Sequence, residues 1–162
     1  MTKAAREAGN AEVRVITAAE TLPLRQAVLR PGRPLEAARF PGEGAPETRH
    51  FGAFREGRLL GIASLFPVEM PERPGVRAFQ LRGMATAPEA RGSGLGRALI
   101  AACVAHGRVC GVELLWCNAR TSALGFYRKL GWETLGQEFE IPDVGPHFRM
   151  LLRLDQAGGG AA

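Results

Sequence analysis

The most chemically suggestive stretch of the sequence is Arg91-Gly92-Ser93-Gly94-Leu95-Gly96-Arg97, which opens a long apolar-periodic segment. A helix starting there leaves the N–H groups of its first turn without partners, and its dipole places partial positive charge at the same end. Glycines remove the Cβ atoms that would hold a ligand away, so an anion can touch the backbone itself. Arg91 and Arg97 add two full positive charges beside it. The chemistry that suits this pattern is the holding of a diphosphate.

Spacing separates this loop from two better-known glycine motifs. A P-loop ends in GK[ST], and neither the lysine nor the hydroxyl is present here. A dinucleotide fingerprint needs GxGxxG early in a βαβ unit; here the spacing is GxGxG, deep in the chain and after a β-hairpin. A glycine-rich turn that only packs a helix against a sheet would carry the same residues, so the loop alone does not decide.

Besides its carboxylates, the chain has three histidines and one tyrosine able to move a proton. His147 follows Gly145-Pro146 at the mouth of the last expected strand, and an imidazole titrates near neutrality. Glu140 is the alternative, as a base or as a counter-charge for an amine. His50 stands on an expected strand, and His106 near a helix C-terminus complements its dipole. Cys103, Cys110 and Cys117 form no CxxC pair, so no metal is expected. An odd number without an export signal argues for reduced thiols, read as small buried hydrophobes.

These residues need a scaffold, and the pattern supplies one. Period-two apolarity predicts a strand over Glu12–Thr17, then a helix capped by Thr21 and running to about Arg30, with Pro23 in its first turn. Residues 31–47 read as a loop with a helical turn near Leu35–Arg39. Arg49–Arg55 and Arg58–Phe66 flank Glu56-Gly57 as a β-hairpin. Val76–Thr86 is a strand interrupted by Gly83, where a bulge or a close approach by other backbone is expected. A helix over about Gly94–Val109, a buried strand over Val112–Cys117, and a helix over Ala119–Leu130 stopped by Gly131 follow. Glu133–Ile141 and Phe148–Leu154 close the order β-α-β-β-β-α-β-α-β-β, an α/β chain with a mixed sheet.

The totals bound the rest. With 162 residues and 46% hydrophobic content, one domain is expected over 11–155, with flexible tails at 1–10 and 156–162. The formal net charge is +5, but the arginines are scattered from Arg6 to Arg153 without a run or an aromatic-interleaved stripe. That distribution reads as a basic surface rather than a nucleic-acid interface. No apolar run approaches the roughly 20 residues that span a bilayer, and the first residues lack the apolar core of a secretory signal. The expected location is therefore the cytoplasm, with no membrane partner.

Gly83 to Ala90 followed by RGSGLG resembles the coenzyme A signature of the GNAT superfamily of N-acetyltransferases: a strand, a proline, then [RQ]-G-x-G-[LIV]-G opening a helix. Asn118 and Ala123 followed by Phe126-Tyr127-Arg128-Lys129-Leu130-Gly131-Trp132 resembles that family's second motif, N…A…FYxxxGF. Thr86, Ala90 and Trp132 depart slightly from the usual residues. The resemblance implies acetyl-CoA as co-substrate, a GNAT fold with a splayed central strand pair, and a role for each matched position. Met84, Ala85 and Thr86 would pair with the pantetheine arm, and Arg91, Gly92, Ser93, Gly94, Leu95, Gly96 and Arg97 would hold the pyrophosphate. Asn118 would bond the cofactor or an ordered water, and Tyr127 would sit by the thioester sulfur.

Acetyl transfer to an amine needs a neutral nucleophile, a stabilised oxyanion and a protonated leaving group. A backbone N–H at Met84 or Ala85 meets the second need, and the Tyr127 phenol meets the third. His147 and Glu140 are the two candidates for base; Phe139–His147 also resembles the F-x-E…G-x-P-H loop of one GNAT branch. The acceptor implied is a primary amine of a small molecule or amino acid, and the chain a monomer or homodimer. A non-catalytic acyl-CoA-binding domain and a basic nucleic-acid-binding domain are the rival readings.

Overall fold

The computed structural model describes residues 11–154. Both expected tails lie outside the described residues. Seven strands form one mixed sheet: β1 (Ala11–Ile16), β2 (Arg49–Arg55), β3 (Arg58–Phe66), β4 (Ala78–Thr86), β5 (Leu114–Arg120), β6 (Glu133–Ile141) and β7 (Gly145–Arg153). Their order across the sheet is β1-β2-β3-β4-β5-β7-β6. The helices are α1 (Ala18–Leu29), α2 (Leu95–Cys110) and α3 (Leu124–Lys129), with 3-10 turns at Leu35–Ala38, Pro88–Ala90 and Thr121–Ala123.

The element order is the expected one; several ends are not. Thr17, not Thr21, caps α1. Its hydroxyl accepts from Glu20 N–H at 3.2 Å while Glu20 Oε1 accepts from Thr17 N–H at 2.9 Å, a reciprocal capping box. Thr21 is instead buried inside the helix and donates to Ala18 O, and Pro23 falls in the second turn. The strand expected to end at Cys117 continues to Arg120, because β7 supplies antiparallel partners from Leu114↔Arg153 to Arg120↔His147. Tertiary pairing overrides the helical reading of Ala119 and Arg120 there. The same pairing starts β7 at Gly145, so His147 lies within the strand rather than at its mouth. The hairpin is as expected: Glu56 and Gly57 both adopt positive φ (52° and 77°), the turn that suits strand twist.

The described chain divides into two units. One comprises the chain through Phe66 together with Arg82–Ala105; the other comprises Pro67–Leu81 and His106 onward. In the first, Ile16, Ile62 and Ala85 form a core on which Leu24, Val28 and Leu29 of α1 pack with Phe54 and Leu59. In the second, Met70, Ala78, Leu114, Trp116 and Leu151 form another, joined by Val76 and Leu135. Each fully buried aliphatic side chain of this kind contributes roughly 1.5–3 kcal/mol by leaving water. Within the second unit the parallel ladder of β4 on β5 comprises Ala78↔Leu114, Phe79↔Leu115 and Gln80↔Trp116. No helix among the described residues is long and apolar enough to cross a membrane.

Candidate active site

In the first unit, the turn Pro88–Ala90 leads into the glycine loop. Gly92 and Gly94 adopt φ of +77° and +89°, a left-handed backbone that side chains resist. Nothing lies within 4 Å of where a Cβ on Gly92 would stand, so the loop opens onto free space. Ser93 is held inward: its N–H and hydroxyl both bond Ala90 O, and Arg55 donates to its carbonyl at 3.3 Å. At the helix start Ala98 N–H bonds Gly94 O at 3.1 Å. The amides of Leu95, Gly96 and Arg97 come before that bond and lack an intrahelical acceptor. Leu95 is buried beneath the loop, while Arg91 and Arg97 are exposed.

Upstream on β4, Gly83 has φ +64°. Successive strand residues normally face opposite sides. Here Arg82 stacks over Phe40 at 4.1–4.2 Å, as Arg25 does, and the Cβ position of Gly83 also meets Phe40 and Arg25. The left-handed Gly83 thus interrupts the regular strand conformation, with Phe40 close to both residues. Beyond it, Ala85 is buried in the core while Met84 and Thr86 are half-buried.

Beside Gly83 lies a buried polar network. Arg25, fully buried on α1, donates to Ala38 O at 2.9 Å, to the Glu43 carboxylate and to Ser64 Oγ at 3.3 Å. Ser64 Oγ lies 2.6 Å from His50 Nδ1, and His50 Nε2 lies 3.0 Å from Glu43 O. A carbonyl only accepts, so Nε2 carries the hydrogen; Nδ1 then accepts from Ser64, whose lone pairs receive Arg25. Burial pulls the Arg25 guanidinium below its ordinary pKa, and the hydrogen bond and charge of Glu43 oppose that shift.

In the second unit, β5, β7 and β6 carry the remaining predicted residues. Asn118 opposes Arg149, Arg120 opposes His147, and Phe139 opposes His147 on the other side. Directly opposed residues, and residues two apart, share a face. Asn118 and His147 therefore lie on the same face, and Glu140, next to Phe139, is on the other. His147 is buried, with Nδ1 2.7 Å from Gly145 O. That carbonyl fixes the hydrogen on Nδ1 and leaves Nε2 as the basic nitrogen. Glu140 is exposed. Asn118 Oδ1 is buried without a hydrogen-bond partner. Tyr127, on α3, is buried with its ring 5.1 Å from Phe126 and 5.2 Å from Trp132.

Residues 13–132, including the loop, β4, Asn118 and Tyr127, match the profile of the acetyltransferase (GNAT) family. The chain belongs to the GNAT acetyltransferase family. It is 37% identical over 143 residues to the uncharacterized N-acetyltransferase YitI of Bacillus subtilis (strain 168), covering 88% of this chain and 96% of that protein. Two solved structures share the fold. A putative N-acetyltransferase from Lactobacillus plantarum superposes with a TM-score of 0.72 at 19% identity, over 89% of this chain and 98% of that one. A GCN5-related N-acetyltransferase from Kribbella flavida does so with a TM-score of 0.70 at 24% identity, over 90% and 99%.

The residues of this GNAT acetyltransferase fit acetyl-CoA on two observations. The open space over Gly92 would be filled by a Cβ, which suits a cradle for a diphosphate. The orphaned Asn118 Oδ1 suits an incoming amide or water hydrogen. Arg25, Glu43 and Ser64 escaped the sequence reading, as did the position of His50 among them. A signal existed: Leu22, Arg25 and Leu29 occupy one apolar stripe of α1, and an arginine inside such a stripe must be buried with a partner. Cys103 and Cys117 are buried as expected, but Cys110 is only half-buried because it ends α2.

Proposed function

We propose that the protein moves the acetyl group of acetyl-CoA to the primary amine of a small molecule or amino acid by direct attack. The observation that carries this reading is the glycine loop, with its left-handed Gly92 and Gly94, the open space at Gly92, and first-turn amides that lack an intrahelical acceptor. Those amides, with Arg91 and Arg97, hold the diphosphate, and the Met84–Thr86 stretch of β4 pairs with the pantetheine arm. Acetyl-CoA, when bound, supplies an activated thioester carbonyl. The amide of Met84 or Ala85 donates to the carbonyl oxygen as negative charge builds on it. Asn118 Oδ1 accepts from the cofactor arm or from an ordered water.

His147 is the base in this reading, and the hydrogen bond of its Nδ1 to Gly145 supports that over Glu140, because it leaves Nε2 free to take the amine proton. As the new C–N bond forms and the C–S bond breaks, Tyr127 gives its phenolic proton to the departing thiolate. The protein works among small polar solutes in the cytoplasm, as a monomer or homodimer.

The test is free-thiol release from acetyl-CoA across an amine library, beside thermal shift with acetyl-CoA. Tyr127→Phe is expected to lower kcat by roughly 10²–10⁴ with the acetyl-CoA shift retained. His147→Ala is expected to lower kcat by roughly 10²–10⁴, again with the acetyl-CoA shift retained. An unchanged chemical step in Tyr127→Phe refutes the acid assignment. Stabilisation by acetyl-CoA without turnover on any amine marks a non-catalytic binding domain instead.

A further inference from the structure

Arg82 is a half-buried cation of the first unit with no carboxylate paired to it among the described residues. Its guanidinium stacks on Phe40 at 4.2 Å and lies 5.8 Å from Phe66, and among the described residues no acidic group or hydrogen-bond acceptor satisfies it. Glu43, which could do so, is committed to Arg25. Burial lowers the Arg82 pKa, and the charges of Arg25 and Arg30 press it further down against the pull of Glu43 alone. The cluster thus holds more positive than negative charge, and Arg25 Nε, also buried, has no acceptor either. Leaving a partly desolvated guanidinium unpaired is costly unless something else completes it.

Stacking determines what can. With its central carbon over Phe40 and no hydrogen bond to it among the described residues, the N–H fork stays available, and that fork matches the two oxygens of a carboxylate. The two phenyl rings make an apolar wall that strengthens such a pair by excluding water. Arg82 also stands two residues, roughly 7 Å of strand, before Met84, where the transfer reading puts the acyl carbonyl. An anion at Arg82 and an amine at that carbonyl can belong to one small molecule.

We propose that Arg82, walled by Phe40 and Phe66, binds the carboxylate of the acceptor, so that the substrate class is a carboxylate-bearing primary amine of amino-acid type. This rests on the transfer reading above and narrows it. Arg82 is a specificity-determining residue and takes no part in bond making.

The experiment measures kcat/KM on a panel of L-amino acids, each beside its C-terminal amide and the amine lacking the carboxyl group, for the wild type, Arg82→Lys and Arg82→Gln. Thermal shift with acetyl-CoA alone is run on all three proteins. The wild type is expected to prefer the carboxylate member of a matched pair by roughly ten- to a hundredfold. In Arg82→Gln that ratio should fall close to one, chiefly through KM, and Arg82→Lys should restore part of it. Retention of the acetyl-CoA shift in Arg82→Gln shows that the variant is folded. A preference for the uncharged amines, or a carboxylate preference that survives in Arg82→Gln, overturns the proposal. Stabilisation by acetyl-CoA with no turnover on any amino acid overturns it too, while leaving cofactor binding standing. If neither stabilisation nor turnover is seen with the wild type, the transfer reading itself fails and this one with it.

Discussion

The guanidinium of Arg25 occupies the room that a side chain at Gly83 would need: an ideal Cβ there stands 3.0 Å from Arg25 Nε and 3.0 Å from Phe40 Cε2. The glycine of β4 and the arginine of α1 are therefore one feature, because the missing side chain lets a buried cation lie against the strand. Gly83→Ala combines a left-handed φ of +64° with that contact. It is expected to destabilise the protein by about 1–3 kcal/mol, read as a lower urea midpoint with unchanged m-value.

Among the described residues Glu43 is the only carboxylate bonded to Arg25, and both are buried. Glu43→Gln leaves the guanidinium uncompensated and should cost about 3–5 kcal/mol. The double variant Arg25→Met/Glu43→Leu removes both charges and should cost clearly less than Glu43→Gln alone. Chemical denaturation of the three variants checks the order; a double variant less stable than the single one would refute it.

Glu20 provides the acid-side prediction. Its pKa lies below the ordinary carboxylate value, first through the backbone N–H of Thr17 and then through the Thr17 hydroxyl. The folded state thus resists protonating this carboxylate more than the unfolded chain does. Its stabilisation is complete above the unfolded carboxylate range and is lost as pH falls through the lowered value. The stability difference between the wild type and Glu20→Gln should therefore be largest near neutrality and shrink below about pH 4, as urea midpoints at pH 7 and pH 3 will show.

Thiol reactivity should divide by burial. Burial pushes the Cys103 thiol up to about 12 and raises that of Cys117 as well, with Arg149 partly offsetting the latter. Neither forms thiolate at neutral pH. Iodoacetamide on the native protein should label Cys110 alone, and all three cysteines in denaturant, as peptide mass mapping will read.

Much of the fold was legible because its signals are local. Hairpin and strand ends at Arg49–Arg55, Arg58–Phe66 and Glu133–Ile141 follow from two-residue alternation and turn residues, and they match residue for residue. The helix starting at Leu95 follows from the glycines before it. The readings that moved were those set by partners distant in sequence. β5 reaches Arg120 and β7 begins at Gly145 because each supplies the other's hydrogen bonds, which no short window contains.

The sequence by itself determined the family, the element order and the glycine loop, since backbone conformation near glycines and a run of ordered motifs are properties of contiguous residues. Only the tertiary structure decided that Arg25, Glu43, Ser64 and His50 form one network, that Arg82 has no carboxylate paired to it among the described residues, and that Glu140 faces away from His147. Those are outcomes of packing. The cost of burying a charge depends on which side chains surround it, and residues as far apart as 25 and 64 become neighbours only when helix and sheet have closed on each other.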